Sequence, residues 1–171
     1  NVIIATGSVP MEIPGIPFDG ETVVSSREAL EFNEIPNQLV VVGAGYIGLE
    51  LGSVYSRLGS SVTVLEMMDK VLPEMDEDLG VAAHEIFARQ GMEFHLGAKV
   101  TGVEIEEKKA TVRYELAGSE SYSTADKVLV AAGRQPFVDR LGLEAVGLEL
   151  DQRGFIPVDA GMRTAVDGVY A

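Results

Sequence analysis

Short apolar runs alternate along the chain with stretches whose apolar residues recur at helical spacing. Leu39-Val40-Val41-Val42 is rich in β-branched residues and lies between Pro36-Asn37 and Gly43. That is the pattern of a buried strand bounded by turn signals. Ile47, Leu51, Val54, Tyr55 and Leu58 then keep helical spacing, which predicts a helix over residues 46–58 stopped by Gly59-Ser60-Ser61. Val62-Thr63-Val64-Leu65 predicts the next strand, ending at Glu66. Asp76 is placed to cap a helix carrying Leu79, Ala82, Ala83, Ile86 and Phe87, with Gly91 at its C-terminal side. The alternation of Met92, Phe94 and Leu96 predicts a third strand.

The pattern then changes. Residues 100–105, 110–116 and 121–123 read as an antiparallel meander, with turns at 106–109 and 117–120. Val128-Leu129-Val130-Ala131 is again wholly apolar. Strand–helix–strand–helix–strand implies a parallel sheet with right-handed crossovers. The expected class is therefore α/β, a Rossmann-like parallel sheet in which an antiparallel β-meander replaces one crossover helix. Ser25 and Glu28 form a capping box that predicts a small structural helix. Two segments echo each other: residues 2–10 and 128–136 are both apolar strands followed by Ala-x-Gly, a polar residue, a spacer and Pro. Apolar runs at both ends of the chain give the expectation of a piece cut from a larger protein.

Composition narrows the chemistry. The 171 residues hold 13 Lys+Arg and 27 Asp+Glu, a formal net charge of −14, which argues against a nucleic-acid surface because phosphate contacts need basic side chains. No apolar run approaches the roughly 18–20 residues of a membrane helix. Without cysteine there is no disulfide, thiolate metal site or thiol nucleophile, and two His are too few for an ordinary zinc site. The acids Glu74, Asp76, Glu77 and Asp78 read as helix-start residues favoured by the helix dipole rather than as metal ligands.

One motif stands out against this plain background. Gly43-Ala44-Gly45-Tyr46-Ile47-Gly48 is a Gly-x-Gly-x-x-Gly with a strand before it, a helix through its second half, a strand after it and an acid, Glu66, ending that strand. The βαβ unit is near the ~30 residues of a dinucleotide fingerprint, and the acid stands about 20 residues after the first glycine. Gly43 is expected to permit the tight turn, Gly45 to leave room for a pyrophosphate, and Gly48 and Gly52 to let the helix approach the sheet. Main-chain N–H groups and the helix dipole would hold the anion without Lys or Arg. Glu66 would accept hydrogen bonds from the adenosine ribose, and Met67-Met68-Asp69 offers no Arg for a 2′-phosphate, so NAD is expected over NADP.

The residues 43–66 (GAGYIGLELGSVYSRLGSSVTVLE) resemble the NAD domain of the flavoprotein disulfide reductases, and most of all their dihydrolipoamide-oxidising branch. The likeness extends to ATGS at 5–8, VLPEMDEDL at 71–79, AAGRQP at 131–136 and LGLEAVGLELDQRGFIPVD at 141–159. It implies an NAD domain at 21–136, inserted between a segment leaving an FAD domain at 1–20 and one returning to it at 137–171. By resemblance Gly43, Gly45, Tyr46, Ile47, Gly48, Glu50, Glu66, Val100 and Gly133 serve NAD, and Thr6, Gly7 and Ser8 serve FAD in the parent. Glu50 would lie near the nicotinamide ribose and Val100 against the adenine; a plain surface charge and a plain core residue are the alternatives. The resemblance also implies the parent's own FAD and dimerisation domains as partners, a cytoplasmic homodimer, and association with a 2-oxo acid dehydrogenase complex. The family's Cys pair, His–Glu pair and FAD glycine fingerprint are missing from this sequence, so no catalytic residue is expected here and the chain alone is expected to be inactive. His84 and His95 are expected at the surface, His84 on the side of its helix away from Leu79, Ile86 and Phe87. Other readings left open are a mercuric reductase or NADH oxidase, and a non-catalytic nucleotide-binding module; the glutathione-type branch is disfavoured by the lack of an Arg near Glu66.

Overall fold

The computed structural model describes residues 1–171. The first elements in chain order are β1 (Val2–Ile3), β2 (Ser8–Pro10), β3 (Val23–Val24), α1 (Ser26–Ala29), β4 (Gln38–Val42) and α2 (Tyr46–Leu58). There follow β5 (Ser61–Glu66), α3 (Glu77–Arg89), β6 (Glu93–Leu96), β7 (Lys99–Glu106), β8 (Lys109–Leu116) and β9 (Ser119–Ala125). The last are β10 (Lys127–Val130), β11 (Arg134–Pro136), a 3-10 turn at Leu143–Val146 and β12 (Val169–Tyr170). Two compact units share the chain, Pro10–Gly133 and the pair of segments Asn1–Val9 and Arg134–Ala171.

The larger unit is built on a five-stranded parallel sheet of order β3-β10-β4-β5-β6. After their first residues, the interior strands β4 and β10 read as unbroken apolar runs because both of their faces are covered. Val40, Val42, Leu65, Val128 and Val130 point one way, into a core closed by Val112, Tyr114 and Ala125 of the meander. Their neighbours Leu39, Val41, Val62, Val64 and Leu129 point the other way, onto Leu49 and Tyr55 of α2 and onto Ala29 and Met92. Each such side chain, fully buried, contributes about 1.5–3 kcal/mol. The meander pairs β7-β8-β9 antiparallel, with a bulge between Val100 and Gly102. It stands where a crossover helix is expected, between the edge strand β6 and the interior strand β10.

Three details depart from the sequence reading. The sheet has an additional edge strand, β3, whose two buried valines are too few to show a period. On α3 the packed side is Gly80, Ala83 and Phe87, while Leu79 and Ile86 are 56% and 46% exposed. A Cβ at Gly80 would lie 2.8 Å from the carbonyl oxygen of Val71, so this glycine sets how closely the helix approaches, and the large aliphatic residues turn outward. His84 consequently lies on the packed side, its ring edge-on to Phe94 at 4.8 Å between centroids. Asp76 occupies the cap position of α3, but its side chain makes no capping bond. The capping box on α1 forms as expected: Ser25 accepts from the Arg27 N–H, and Glu28 accepts from the Ser25 N–H at 3.0 Å and hydroxyl at 2.6 Å.

In the smaller unit β1 pairs parallel with β12, and the apolar run of residues 2–5 is largely exposed rather than buried. The two echoed segments meet: β2 and β11 pair with each other in a two-stranded sheet. Phe137 donates its N–H to the Gly7 carbonyl at 2.9 Å, and Thr6 donates its hydroxyl to the Phe137 carbonyl at 2.5 Å. Arg134 donates through Nε to the Ser8 hydroxyl at 2.7 Å and through its terminal nitrogen to the Ser8 carbonyl.

Candidate dinucleotide site

The glycine motif joins the carboxyl end of β4 to α2, inside the larger unit. Gly43 has φ +106°, a left-handed conformation that a side chain strains, and a Cβ there would lie 2.5 Å from the Ala131 carbonyl oxygen. The exit of β10 therefore abuts the glycine turn. Gly48 faces the Gly43 carbonyl so closely that a Cβ would overlap it, and that same Cβ would be 3.0 Å from Val41 Cγ1. Gly52 continues this seam, its Cβ position being 2.9 Å from Met92 Cε. Gly45 differs from the others. It is the N-cap of α2, with an extended backbone and nothing within 4 Å of where its Cβ would be. Space is open at Gly45 and filled at Gly43, Gly48 and Gly52.

A helix leaves its first N–H groups without intrahelical acceptors. Gly45 offers no side chain to cap α2, and the N–H groups of residues 45–48 have no protein partner. The two amides just before them are used: Gly43 donates to the Leu65 carbonyl at 2.9 Å, and Ala44 donates to Glu66 Oε2 at 2.6 Å. Glu66 is only 7% exposed, and its Oε1 accepts from the Met68 N–H at 2.8 Å. The terminal acid thus stands at the glycine turn, as the fingerprint requires. Its oxygens offer about four acceptor positions, of which these two amides take two, leaving two for a vicinal diol.

The other expected residues are distributed as follows. Tyr46 is 56% exposed at the start of α2, Ile47 is half-buried, and Glu50 is exposed one turn farther along. Val100 lies in β7, paired with Tyr114 and packed on the meander-side core. Gly133 is exposed and accepts the Met11 N–H at 3.1 Å. Thr6, Gly7 and Ser8 belong to the smaller unit, where the bonds to Phe137 and Arg134 engage them. Sequence reasoning missed the loop after β5. Leu72, with φ +48°, donates its N–H to the Ala44 carbonyl at 2.9 Å, so the Ala44 peptide is held on both sides. The only written sign of this was the position of Glu66 before a turn.

The residues present fit a dinucleotide. Open space at Gly45 faces unpaired amides and the positive end of a 13-residue helix, and the Glu66 carboxylate, an acceptor for hydroxyls, is bonded to the same turn.

The family model described as pyridine nucleotide-disulphide oxidoreductase matches residues 1–171. The chain belongs to that family. Among curated members, it is 43% identical to dihydrolipoyl dehydrogenase 3 of Haloarcula marismortui, aligned over 100% of this chain and 37% of that protein. It is 45% identical to the mitochondrial dihydrolipoyl dehydrogenase of Pisum sativum, over 100% of this chain and 34% of the relative. Among solved structures, LpdA of Mycobacterium tuberculosis superposes with a TM-score of 0.89 at 32% identity, covering 99% of this chain and 36% of that one. An HOCl-induced flavoprotein disulfide reductase of Escherichia coli gives 0.83 at 32% identity, covering 99% and 38%. This family member therefore spans little more than a third of the length of such relatives. None of its helices is long and apolar enough to cross a membrane.

Proposed function

We propose that this chain is the NAD-binding portion of a dihydrolipoamide dehydrogenase. In this reading the N–H groups of residues 45–48 receive the pyrophosphate, and Glu66 accepts the hydroxyls of the adenosine ribose. Glu50 lies toward the nicotinamide ribose, Val100 toward the adenine, and Gly133 along the cofactor at the carboxyl edge of the sheet. The observation that carries the reading is the open space at Gly45 in front of unpaired amides, with Glu66 tied to the same turn.

The protein's share of the work is binding and orientation. Uncharged amides hold the diphosphate, so the chain needs no Lys or Arg at the turn despite its net charge of −14. The buried carboxylate rejects a second phosphate on the ribose by repulsion. When bound, NAD supplies the hydride acceptor, and FAD, held by the rest of the parent with Thr6, Gly7 and Ser8 at its edge, supplies the donor during oxidation of dihydrolipoamide. The parent enzyme is a cytoplasmic homodimer that works within a 2-oxo acid dehydrogenase complex. Its disulfide chemistry belongs to segments outside this sequence, so the chain alone binds but does not turn over.

Titrating the isotopically labelled chain with NADH while following its amide signals tests this reading. The expected result is a saturable shift of the signals of residues 45–48 and of Met68. Shifts confined to other parts of the chain contradict it.

A further inference from the structure

Three main-chain amides converge on one residue. Glu66 accepts from Ala44 through Oε2 and from Met68 through Oε1, and its own carbonyl accepts the Ala98 N–H at 2.8 Å. The Met68 carbonyl in turn accepts the Gly97 N–H at 2.8 Å. The glycine turn, the turn after β5 and the turn before β7 are thereby joined through Glu66. A carboxylate that only reads a sugar has no need to be 7% exposed with both oxygens already bonded to the backbone. Burying it is costly unless it is paired, and charge-assisted N–H bonds offset that cost.

We infer that Glu66 is a positioning residue for the diphosphate cradle, fixing the Ala44 peptide so that the amides of residues 45–48 present together. The role presupposes that those amides hold a diphosphate, as proposed above, and it adds to sugar reading a function that a ligand without a sugar can reveal. The two roles predict opposite signs. Removing a negative charge beside an anion strengthens anion binding. Loosening the cradle weakens it. Glu66→Gln keeps the side chain's size but has one acceptor oxygen and one donor NH2, so the N–H of either Ala44 or Met68 then faces another donor.

The test compares the labelled native chain with E66Q by amide signals, using inorganic pyrophosphate first and NADH second. The expected result is that pyrophosphate shifts residues 45–48 in the native chain and binds E66Q at least about three-fold more weakly. In the ligand-free variant the Ala44 amide should exchange with solvent at least about ten-fold faster, while Val41 and Val64 in the adjoining strands keep their protection. Pyrophosphate affinity that is unchanged or higher in E66Q overturns the inference, as does unchanged protection of Ala44 or a native chain that ignores pyrophosphate. NADH separates the two readings. If NADH shifts residues 45–48 while one of those overturning results is found, the positioning role alone fails; if NADH leaves them unmoved, the nucleotide reading fails.

Discussion

Gly48 lies against the carbonyl oxygen of Gly43 with no room for a side chain between them. These two glycines, the first and last of the motif, thus form one packing contact that seats α2 on the sheet at the mouth of the candidate site. Gly45, between them in sequence, touches nothing at its Cβ position.

This contrast separates stability from binding. Gly48→Ala forces the helix off the sheet and should cost about 1–3 kcal/mol, read as a lower urea midpoint. Gly45→Ala enters open space at an extended backbone, so its stability should stay within about 0.5 kcal/mol of the native chain. Its NADH affinity should nevertheless fall at least about ten-fold, because in the proposed reading the methyl group enters the space that the diphosphate would take. Equal effects of the two substitutions on stability contradict the assignment of roles.

Two carboxylates outside the candidate site contribute to acid stability. The Ser25 hydroxyl holds the Glu28 carboxyl below its ordinary value, with burial opposing and backbone amides assisting. The Gln38 N–H, and then Lys109, hold Asp126 below its own, again against burial. A group with a lowered folded pKa stabilises the fold fully above its unfolded pKa and loses that contribution as pH falls through the folded one. Urea midpoints should therefore drop below the ordinary carboxylate range, and Ser25→Ala and Asp126→Asn should each flatten the drop. Ser25→Ala also removes the helix cap, at a cost of about 1 kcal/mol at neutral pH.

Tyr55 governs the alkaline side. It is buried and donates its hydroxyl to the Ala29 carbonyl, and burial pushes its phenol up from the usual range. The neutral phenol is favoured in the fold, so this stability is present at neutral pH and is lost as pH rises above the unfolded tyrosine value of about 10. Tyr55→Phe should cost about 1 kcal/mol at neutral pH and reduce the alkaline decline. Urea denaturation of both proteins across that range checks it.

Much of the fold could be read along the chain because its signals were redundant. For β4, α2 and β5, apolar run, helical period and glycine stop all agree, and the structure places the helix at Tyr46–Leu58 as the spacing predicts. On α3 the signals conflict. Leu79 and Ile86 suggest one face by their hydrophobicity, but Gly80 allows the closest approach, and closeness decided which face packs. β3 escaped notice because two residues carry no period. At the candidate site, the spacing of Glu66 from the glycines singled it out as a residue at the turn, whereas its bonds to Ala44 and Met68 depend on loop conformations, including the left-handed Leu72, that no pattern of residue types encodes.

In the proposed reading, uncharged amides hold a diphosphate beside a carboxylate that inspects the ribose. Calorimetric titration of this chain with NADH and with NADPH tests it most directly. Measurable NADH binding is expected, with NADPH binding at least about ten-fold weaker, since a 2′-phosphate would meet the Glu66 carboxylate. NADPH bound as tightly as NADH would contradict it.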